Sequence, residues 1–106
     1  MYALALNGSP RKDGNTSHLL AEVLAPLRQS GWDTETVQVG GENIRGCIAC
    51  YKCFENKDQR CAVDTDAFNQ VMEKMLRAEA LILGSPTYFS DVSAELKAVL
   101  DRSGLV

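Results

Sequence analysis

Four cysteines lie within a stretch of fifteen residues and could bind a soft metal or carry out thiol redox chemistry. Thiolates are soft, polarizable ligands, so cysteines gathered in this way typically hold a metal ion, a cluster or a redox pair. Because this stretch falls on a long loop in a chain that otherwise alternates strands and helices, the combination indicates electron transfer. The spacing is C-x2-C-x2-C-x7-C, and the only cysteines of the chain are Cys47, Cys50, Cys53 and Cys61.

Three interpretations of this cysteine run stay open from its spacing. A [4Fe–4S] cluster needs four thiolates around a compact cubane, which three closely spaced cysteines and one more distant cysteine can supply. In the second interpretation, the four thiols are unligated or form adventitious disulfides. Zinc fits less well, because structural zinc sites more often have two cysteine pairs separated by a longer stretch.

The turn from residue 8 to residue 17 could bind an anion, because it leads from a strand into a helix. A helix N-terminus offers free N–H groups and the positive end of the helix dipole. Gly8 and Gly14 permit unusual backbone angles, and Arg11 adds a planar charged group suited to phosphate. The turn matches neither a Walker loop nor a dinucleotide motif, and a turn with a helix cap and no ligand is the alternative. The other candidate donors are Ser9, Asn15, Thr16 and Ser17.

A second loop, residues 84–90, leaves the third predicted strand. Ligands of open parallel sheets bind beyond the carboxyl ends of the strands, where the strand order reverses. If the first and third strands are neighbours, Tyr88 and Phe89 could wall a planar ring while Thr87 bonds its polar edge. Alternatively, the two aromatic residues only cover the core or fill an interface. Pro86 completes the candidate residues of this loop.

Strands alternate with helices along the chain, which predicts an α/β fold with βαβ crossovers and a parallel sheet. Apolar runs and β-branched residues predict three strands. Side-chain caps before apolar residues at helical spacing predict three helices. Residues 40–64 follow neither period, and so long a loop in a compact domain is typically functional or disordered. The predicted strands are Tyr2–Asn7, 34–39 and Ala80–Gly84, and the predicted caps are one of Asn15, Thr16 and Ser17, then Thr65, then Ser93.

The third strand is uniformly apolar, which is typical of a central strand that has neighbours on both sides. Doubly wound folds normally have about five strands, whereas this chain supplies only three. We therefore expect either that a second copy provides the missing neighbour or that the chain is a truncated form of a longer protein.

The composition is that of an ordinary globular domain, with 106 residues of which 45% are hydrophobic and 24% charged. The formal net charge is −3 and the eleven basic residues are scattered, which argues against binding to nucleic acid or to an anionic membrane surface. No apolar stretch reaches the length of a membrane span, and the first residues lack the features of a signal peptide. We therefore expect a cytoplasmic protein with reduced thiols.

The two loops and the cysteine run resemble, in order and spacing, those of the NAD(P)H-dependent FMN reductases of flavodoxin-like fold. The cysteine run is similar to that of the iron–sulfur flavoprotein branch of this family. The resemblance implies a single flavodoxin-like domain over residues 1–106, the N-terminal part of a doubly wound βαβαβα fold, with a cysteine-rich loop at 40–64. The strings that carry it are Gly8-Ser9-Pro10-Arg11, Gly14-Asn15-Thr16-Ser17, Gly84-Ser85-Pro86-Thr87-Tyr88-Phe89, Leu96-Lys97 and Asp101-Arg102.

The resemblance also implies cofactors, partners and an activity. FMN would be the cofactor, with a [4Fe–4S] cluster on the four cysteines, and the electron donor would be NAD(P)H or a redox protein. The protein would be an oligomeric oxidoreductase or electron carrier, and the alternative is a metal-binding or oligomerisation module without flavin. Family members carry further strands and a loop that completes the flavin site, which this chain lacks. The residues implied to hold the FMN phosphate are Ser9, Arg11, Asn15, Thr16 and Ser17, and those implied to line the ribityl chain and ring are Pro86, Thr87, Tyr88 and Phe89.

Overall fold

A computed structural model describes every residue from Met1 to Val106. It contains three strands and four helices, so one helix is present that the apolar pattern does not predict. None of the four helices combines the length and the apolar character that crossing a bilayer requires. The elements are β1 (Tyr2–Asn7), α1 (Asn15–Gln29), β2 (Asp33–Gln38), α2 (Lys52–Asn56), α3 (Phe68–Arg77), β3 (Ala80–Gly84) and α4 (Ala94–Ser103).

The three strands form one parallel sheet in the order β2-β1-β3. The prediction of an α/β parallel sheet is therefore confirmed, and so is the condition that the first and third strands are neighbours. This order is the start of the flavodoxin-like arrangement, in which the order of the strands across the sheet reverses at β1. The carboxyl ends of β1 and β3 consequently lie side by side at one edge of the sheet.

The core has two sides because alternate residues of β1 face opposite sides of the sheet. Leu4 and Leu6 pack on one side against buried residues of α3 and α4, among them Phe68 and Val99. Ala3 and Ala5 face the other side and pack against α1; small residues there let this helix approach the sheet. Fully burying a leucine contributes roughly 1.5 to 3 kcal/mol, so the buried Leu4 and Leu6 of β1 contribute strongly to the stability of the sheet.

The third strand lies at the edge of the sheet in this chain, as expected from a sequence that supplies only three strands. β3 pairs with β1 on one edge, and no other strand of this chain pairs with its second edge. Leu81 and Leu83 are each 46% exposed, although both are large and apolar. An apolar strand of this kind is typical of one with neighbours on both sides, so the expectation that a second copy or further residues cover the second edge of β3 stays a prediction.

Two of the three predicted helix caps are wrong. Gly14 is the N-cap of α1, with no side-chain cap, so none of the three predicted residues caps this helix. Ala67 is the N-cap of α3. The Oδ1 atom of Asp66, rather than Thr65, accepts a hydrogen bond from the amide of Phe68 at 3.1 Å. The predicted cap of α4 is confirmed, because Ser93 accepts a hydrogen bond from the amide of Leu96.

The loop between β2 and α3 carries the short helix α2 among the cysteines. Tyr51 before it and Lys57 after it have φ values of 58° and 50°, in the left-handed region. Ala49 and Gln59 also have positive φ values, both 57°. Left-handed backbone is costly for residues other than glycine, and it is concentrated at functional sites. The backbone of the cysteine run is thus held in an unusual conformation by its surroundings.

Candidate functional site

The two loops that the sequence singles out lie against one cleft beyond the carboxyl ends of β1 and β3. The cleft has a volume of about 290 Å³. It therefore joins the N-terminus of α1 to the loop after β3, as the neighbouring positions of these strands require. The residues that line it are Ser9, Arg11, Gly14, Asn15, Thr16, Pro86 and Tyr88.

The turn after β1 is held in place by hydrogen bonds from the ends of the strands. The buried side chain of Asn7 accepts a hydrogen bond from the amide of Ser9 at 2.9 Å. The amide of Gly8 donates to the carbonyl oxygen of Gly84 at 2.7 Å. The Oγ atom of Ser9 in turn accepts from the amide of Arg11 at 3.1 Å. These bonds fix the start of the turn before any ligand binds.

The end of β2 supports the same turn from behind. The side-chain amide of Gln38 donates to the carbonyl oxygen of Ser9 at 2.9 Å. A Cβ atom on Gly40 would lie 2.3 Å from the carbonyl carbon of Ser9 and 2.4 Å from the oxygen of Gly8. Only glycine allows the two backbones to approach this closely. Residues 38–40 therefore act as a platform for the turn.

The N-terminus of α1 has the features of an anion site. No side chain caps it, and no acidic residue lies in its first turn. The first amides of a helix have no partner within the helix, and here Gly14, Asn15 and Thr16 line the cleft that Arg11 also lines. Free N–H groups, the helix dipole and one guanidinium fit a phosphate group. Ser17 is half-buried near this end but does not line the cleft.

The second loop contributes Pro86 and Tyr88 to the cleft, but not all of its predicted residues. Phe89 is 99% exposed and has a left-handed φ of 39°. Thr87 is exposed and does not line the cleft. Tyr88 and Asp91 exchange backbone hydrogen bonds of 2.9 and 3.1 Å, which form the tight tip of the loop. Tyr88 is thus the aromatic residue that lines the cleft, and Phe89 does not line it.

All four cysteines line a second pocket, and all four are free thiols. Cys47 and Cys50 are exposed, and Cys53 and Cys61 are half-buried. Eleven of the thirteen lining residues are hydrophobic. The structure therefore places all four cysteines around one apolar space.

The donor set of this pocket fits an iron–sulfur cluster, since four thiolates are the usual ligands. The amide of Ala49 donates to the sulfur of Cys47 at 3.3 Å, a bond of the kind that stabilises a thiolate. No three His, Cys, Asp or Glu side chains are close enough together to hold a metal ion. The cysteine side chains must therefore move closer together to coordinate a cluster.

Three buried polar residues beside this pocket are not identified by the sequence pattern as site residues. Arg102 pairs with Asp66 at 2.7 Å, with side chains 2% and 0% exposed. Burial raises the pKa of Asp66, but hydrogen bonds from Arg102 and from two backbone amides outweigh it and hold this pKa below its ordinary value. Burial lowers the pKa of Arg102, but Asp66 and then the thiol of Cys61 outweigh it and raise this pKa. Asn69 is the third residue, and it contacts the backbone of Cys61.

A further charged cluster lies at the opposite end of the sheet, where it stabilises the fold and is not part of either candidate site. The hydroxyl of Tyr2 donates to Glu35 at 2.7 Å, and Lys74 also pairs with Glu35. Burial and this hydrogen bond raise the pKa of Tyr2 to about 12. The cluster joins β1, β2 and α3 at the amino ends of the strands, away from both pockets.

These features define a flavodoxin-like α/β protein with one cleft at its strand ends and a separate pocket lined by its four cysteines. The sequence profile of the family described as NADPH-dependent FMN reductase matches residues 1–105. The chain belongs to this family. The resemblance stated from the sequence is therefore confirmed, and FMN is the cofactor for which the family is named.

Two curated proteins that this chain is similar to are named iron–sulfur flavoproteins. One from Methanocaldococcus jannaschii is 38% identical over 103 residues, which are 97% of this chain and 52% of the relative. One from Methanosarcina thermophila is 34% identical over 106 residues, which are 100% of this chain and 54% of the relative. The chain spans about half the length of the curated relatives that it matches.

A solved structure confirms the fold. The crystal structure of RosB with a bound flavin intermediate, 8-demethyl-8-formylriboflavin-5'-phosphate, has a TM-score of 0.77 to this chain. The match covers 100% of this chain and 43% of RosB, with 21% sequence identity. At this identity the likeness establishes the flavodoxin-like arrangement alone. The residues that bind FMN and the cysteines that hold a cluster stay predictions.

Proposed function

We propose that this chain binds FMN and acts in an NAD(P)H-dependent oxidoreductase, of the FMN or quinone reductase type, or in an electron-transfer flavoprotein. The observation that carries the proposal is the cleft between the uncapped N-terminus of α1 and the loop after β3. A phosphate at the helix and a ring against Tyr88 would occupy the two ends of this cleft. The family membership supports FMN as the ligand.

Within this proposal, the turn after β1 binds the phosphate and the second loop binds the rest of the cofactor. Arg11 supplies the charge, and the amides at the start of α1 supply hydrogen-bond donors. Tyr88 provides an apolar wall for the flavin ring. FMN supplies hydride and single-electron chemistry when it is bound, and we assign no side chain of this chain as an acid or base. The proposed phosphate residues are Ser9, Arg11, Asn15, Thr16 and Ser17, and the proposed ribityl and ring residues are Pro86, Thr87, Tyr88 and Phe89.

The four cysteines would hold a [4Fe–4S] cluster in the same protein. Free thiols around one apolar pocket support this assignment, and so do the names of the relatives. The electron donor would be NAD(P)H or a redox protein. We further propose that the protein is cytoplasmic, where thiols stay reduced, and that it forms a homo-oligomer.

A second candidate function is a metal-binding or oligomerisation module without flavin. The half-exposed leucines at the unpaired edge of β3 favour it. The thiol pocket could then bind iron or zinc with no electron transfer from a flavin.

Anaerobic purification followed by absorbance spectroscopy and analysis for iron, sulfide and zinc separates these functions. The first proposal predicts that added FMN binds stoichiometrically and more tightly than riboflavin, because only FMN carries the phosphate. It also predicts iron and sulfide in equal amounts after anaerobic reconstitution. A chain that takes up no FMN at micromolar concentrations but binds zinc or iron would support the second function instead.

A further inference from the structure

One buried arginine holds both ends of the cysteine-bearing segment, which we define as residues 46–62. The guanidinium of Arg102, on α4, is 2% exposed. Its Nη1 atom donates to the carbonyl oxygen of Arg45 at 3.0 Å, immediately before the segment. Its Nη2 atom donates to the carbonyl oxygen of Val63 at 3.0 Å, immediately after the segment. The four cysteines thus lie on a loop that Arg102 closes at its base.

Asp66 completes this closure. Its Oδ2 atom accepts from Arg102 at 2.7 Å and from the backbone amide of Arg45 at 2.9 Å. The guanidinium also stacks over the ring of Phe68, at 4.2 Å from the ring centroid. A planar guanidinium can satisfy these partners at once, whereas a lysine ammonium has neither the planar shape nor the number of fixed donors. The geometry therefore requires arginine and not merely a positive charge.

The same region fixes Cys61. The side-chain amide of Asn69 is buried, and its oxygen accepts from the amide of Cys61 at 2.8 Å. Its nitrogen donates to the carbonyl oxygen of Cys61 at 3.0 Å. Arg102 is also the only charged side chain that lines the cysteine pocket. The fourth cysteine is therefore set in a fixed backbone position beside a fixed positive charge.

We propose that Arg102 is the positioning residue of the cysteine site, which joins the two ends of the cysteine-bearing segment and places one positive charge beside the bound anionic group. The effect of Arg102 on a cluster rests on the proposed function, whereas the closure of the segment does not. A cluster held by four thiolates is anionic, and charge in an apolar pocket acts strongly on it. Net charge and hydrogen bonding are among the factors that set cluster potentials. Arg102 favours the reduced, more negative state.

Three variants of the chain test this role after anaerobic reconstitution with ferrous iron and sulfide. Arg102→Gln removes the charge and the planar donors, so we expect it to lose most of the bound iron and to shift the midpoint potential of any remaining cluster downward. Arg102→Lys keeps the charge, so we expect partial iron loss with a potential close to that of the unaltered chain. Arg28→Gln, an exposed site on α1, is the matched control and should change neither. Full iron content and an unchanged potential in Arg102→Gln would overturn the proposal.

Hydrogen exchange on the unaltered chain tests the closure even if the substituted chains do not fold. The amides of Arg45 and Cys61 should exchange slowly, because they donate to the side chains of Asp66 and Asn69, respectively. The amide of the exposed Ile48 should exchange quickly. Fast exchange at Arg45 overturns the positioning role. If the unaltered chain assembles no cluster although Arg45 and Cys61 are protected, the cluster assignment fails and the closure stands.

Discussion

At the scale of single residues, one charged side chain lines the cleft that we propose binds phosphate. Arg11 is exposed, and it lines the cleft beside the uncapped N-terminus of α1. A hydrogen bond between charged groups contributes more than a neutral one, although exposure to solvent weakens it. The amides of α1 cannot be removed by substitution, so Arg11 is the residue that tests whether the cleft binds phosphate.

Arg11→Gln should weaken FMN binding about tenfold, which corresponds to about 1.4 kcal/mol. It should leave the binding of riboflavin unchanged, because riboflavin has no phosphate. Fluorescence titration of both flavins measures this difference, and Arg28→Gln is the control for loss of a surface charge. Equal weakening of FMN and riboflavin would mean that Arg11 acts on the fold or on the ring rather than on the phosphate.

Asp66 gives a prediction about acid stability. Its folded-state pKa is lowered, so its contribution to stability is complete above the ordinary value of 3.8 and is lost as the pH falls through the lower, folded-state value. Asp66→Asn leaves a buried guanidinium without its charged partner and should cost about 3 to 5 kcal/mol at neutral pH.

Urea unfolding measured from roughly pH 6 to pH 2 tests whether the free energy of unfolding falls toward acid as predicted. The unaltered chain should lose stability toward acid more steeply than Asp66→Asn. Asp13→Asn is the matched control, because the carboxylate of Asp13 is 95% exposed. Parallel acid profiles for the unaltered chain and Asp66→Asn would show that the carboxylate does not contribute in this way.

At the scale of elements, the end of β2 determines the shape of the phosphate turn. Gly40→Ala places a methyl group within 2.4 Å of the backbone at Ser9 and Gly8. Overpacking of this kind costs about 2 kcal/mol, and we expect it to displace the turn and to weaken FMN binding as well. Thermal unfolding and FMN titration measure the two effects. Gly46→Ala is the control, because a Cβ atom there has no neighbour within 4 Å, and equal effects of both substitutions would contradict the role of β2.

The elements that the sequence predicts are those that depend on local pattern. The predicted bounds of β1 and β3 agree with the structure, and Ser93 caps α4 as predicted. The short helix α2 was not predicted, because its five residues carry no apolar period and left-handed residues flank it. The Arg102–Asp66 pair was not predicted, because its residues are 36 positions apart in the sequence and a local sequence pattern cannot indicate so distant a contact. The cleft itself follows from the neighbouring positions of β1 and β3, which the family resemblance supplies.

At the scale of the whole molecule, the sheet has an unpaired edge at β3. The side chains of Leu81 and Leu83 lie on the same face of the strand, and both are half-exposed. An unpaired strand presents free N–H and C=O groups that can pair with another chain. The relatives are about twice as long as this chain, so in them additional residues are available to cover such an edge. For the 106-residue chain by itself, we expect a second copy to do so.

The 106-residue chain should therefore self-associate in a concentration-dependent way, through β3. Leu83→Lys places a charge on the unpaired strand, where lysine opposes edge-to-edge association, and it should shift the chain toward monomer. Leu76→Lys is the matched control, because Leu76 is 47% exposed and belongs to α3 rather than to β3. Light scattering coupled to size-exclusion chromatography over a range of concentrations measures the effect. If both variants and the unaltered chain show the same mass at every concentration, β3 is not the contact between copies.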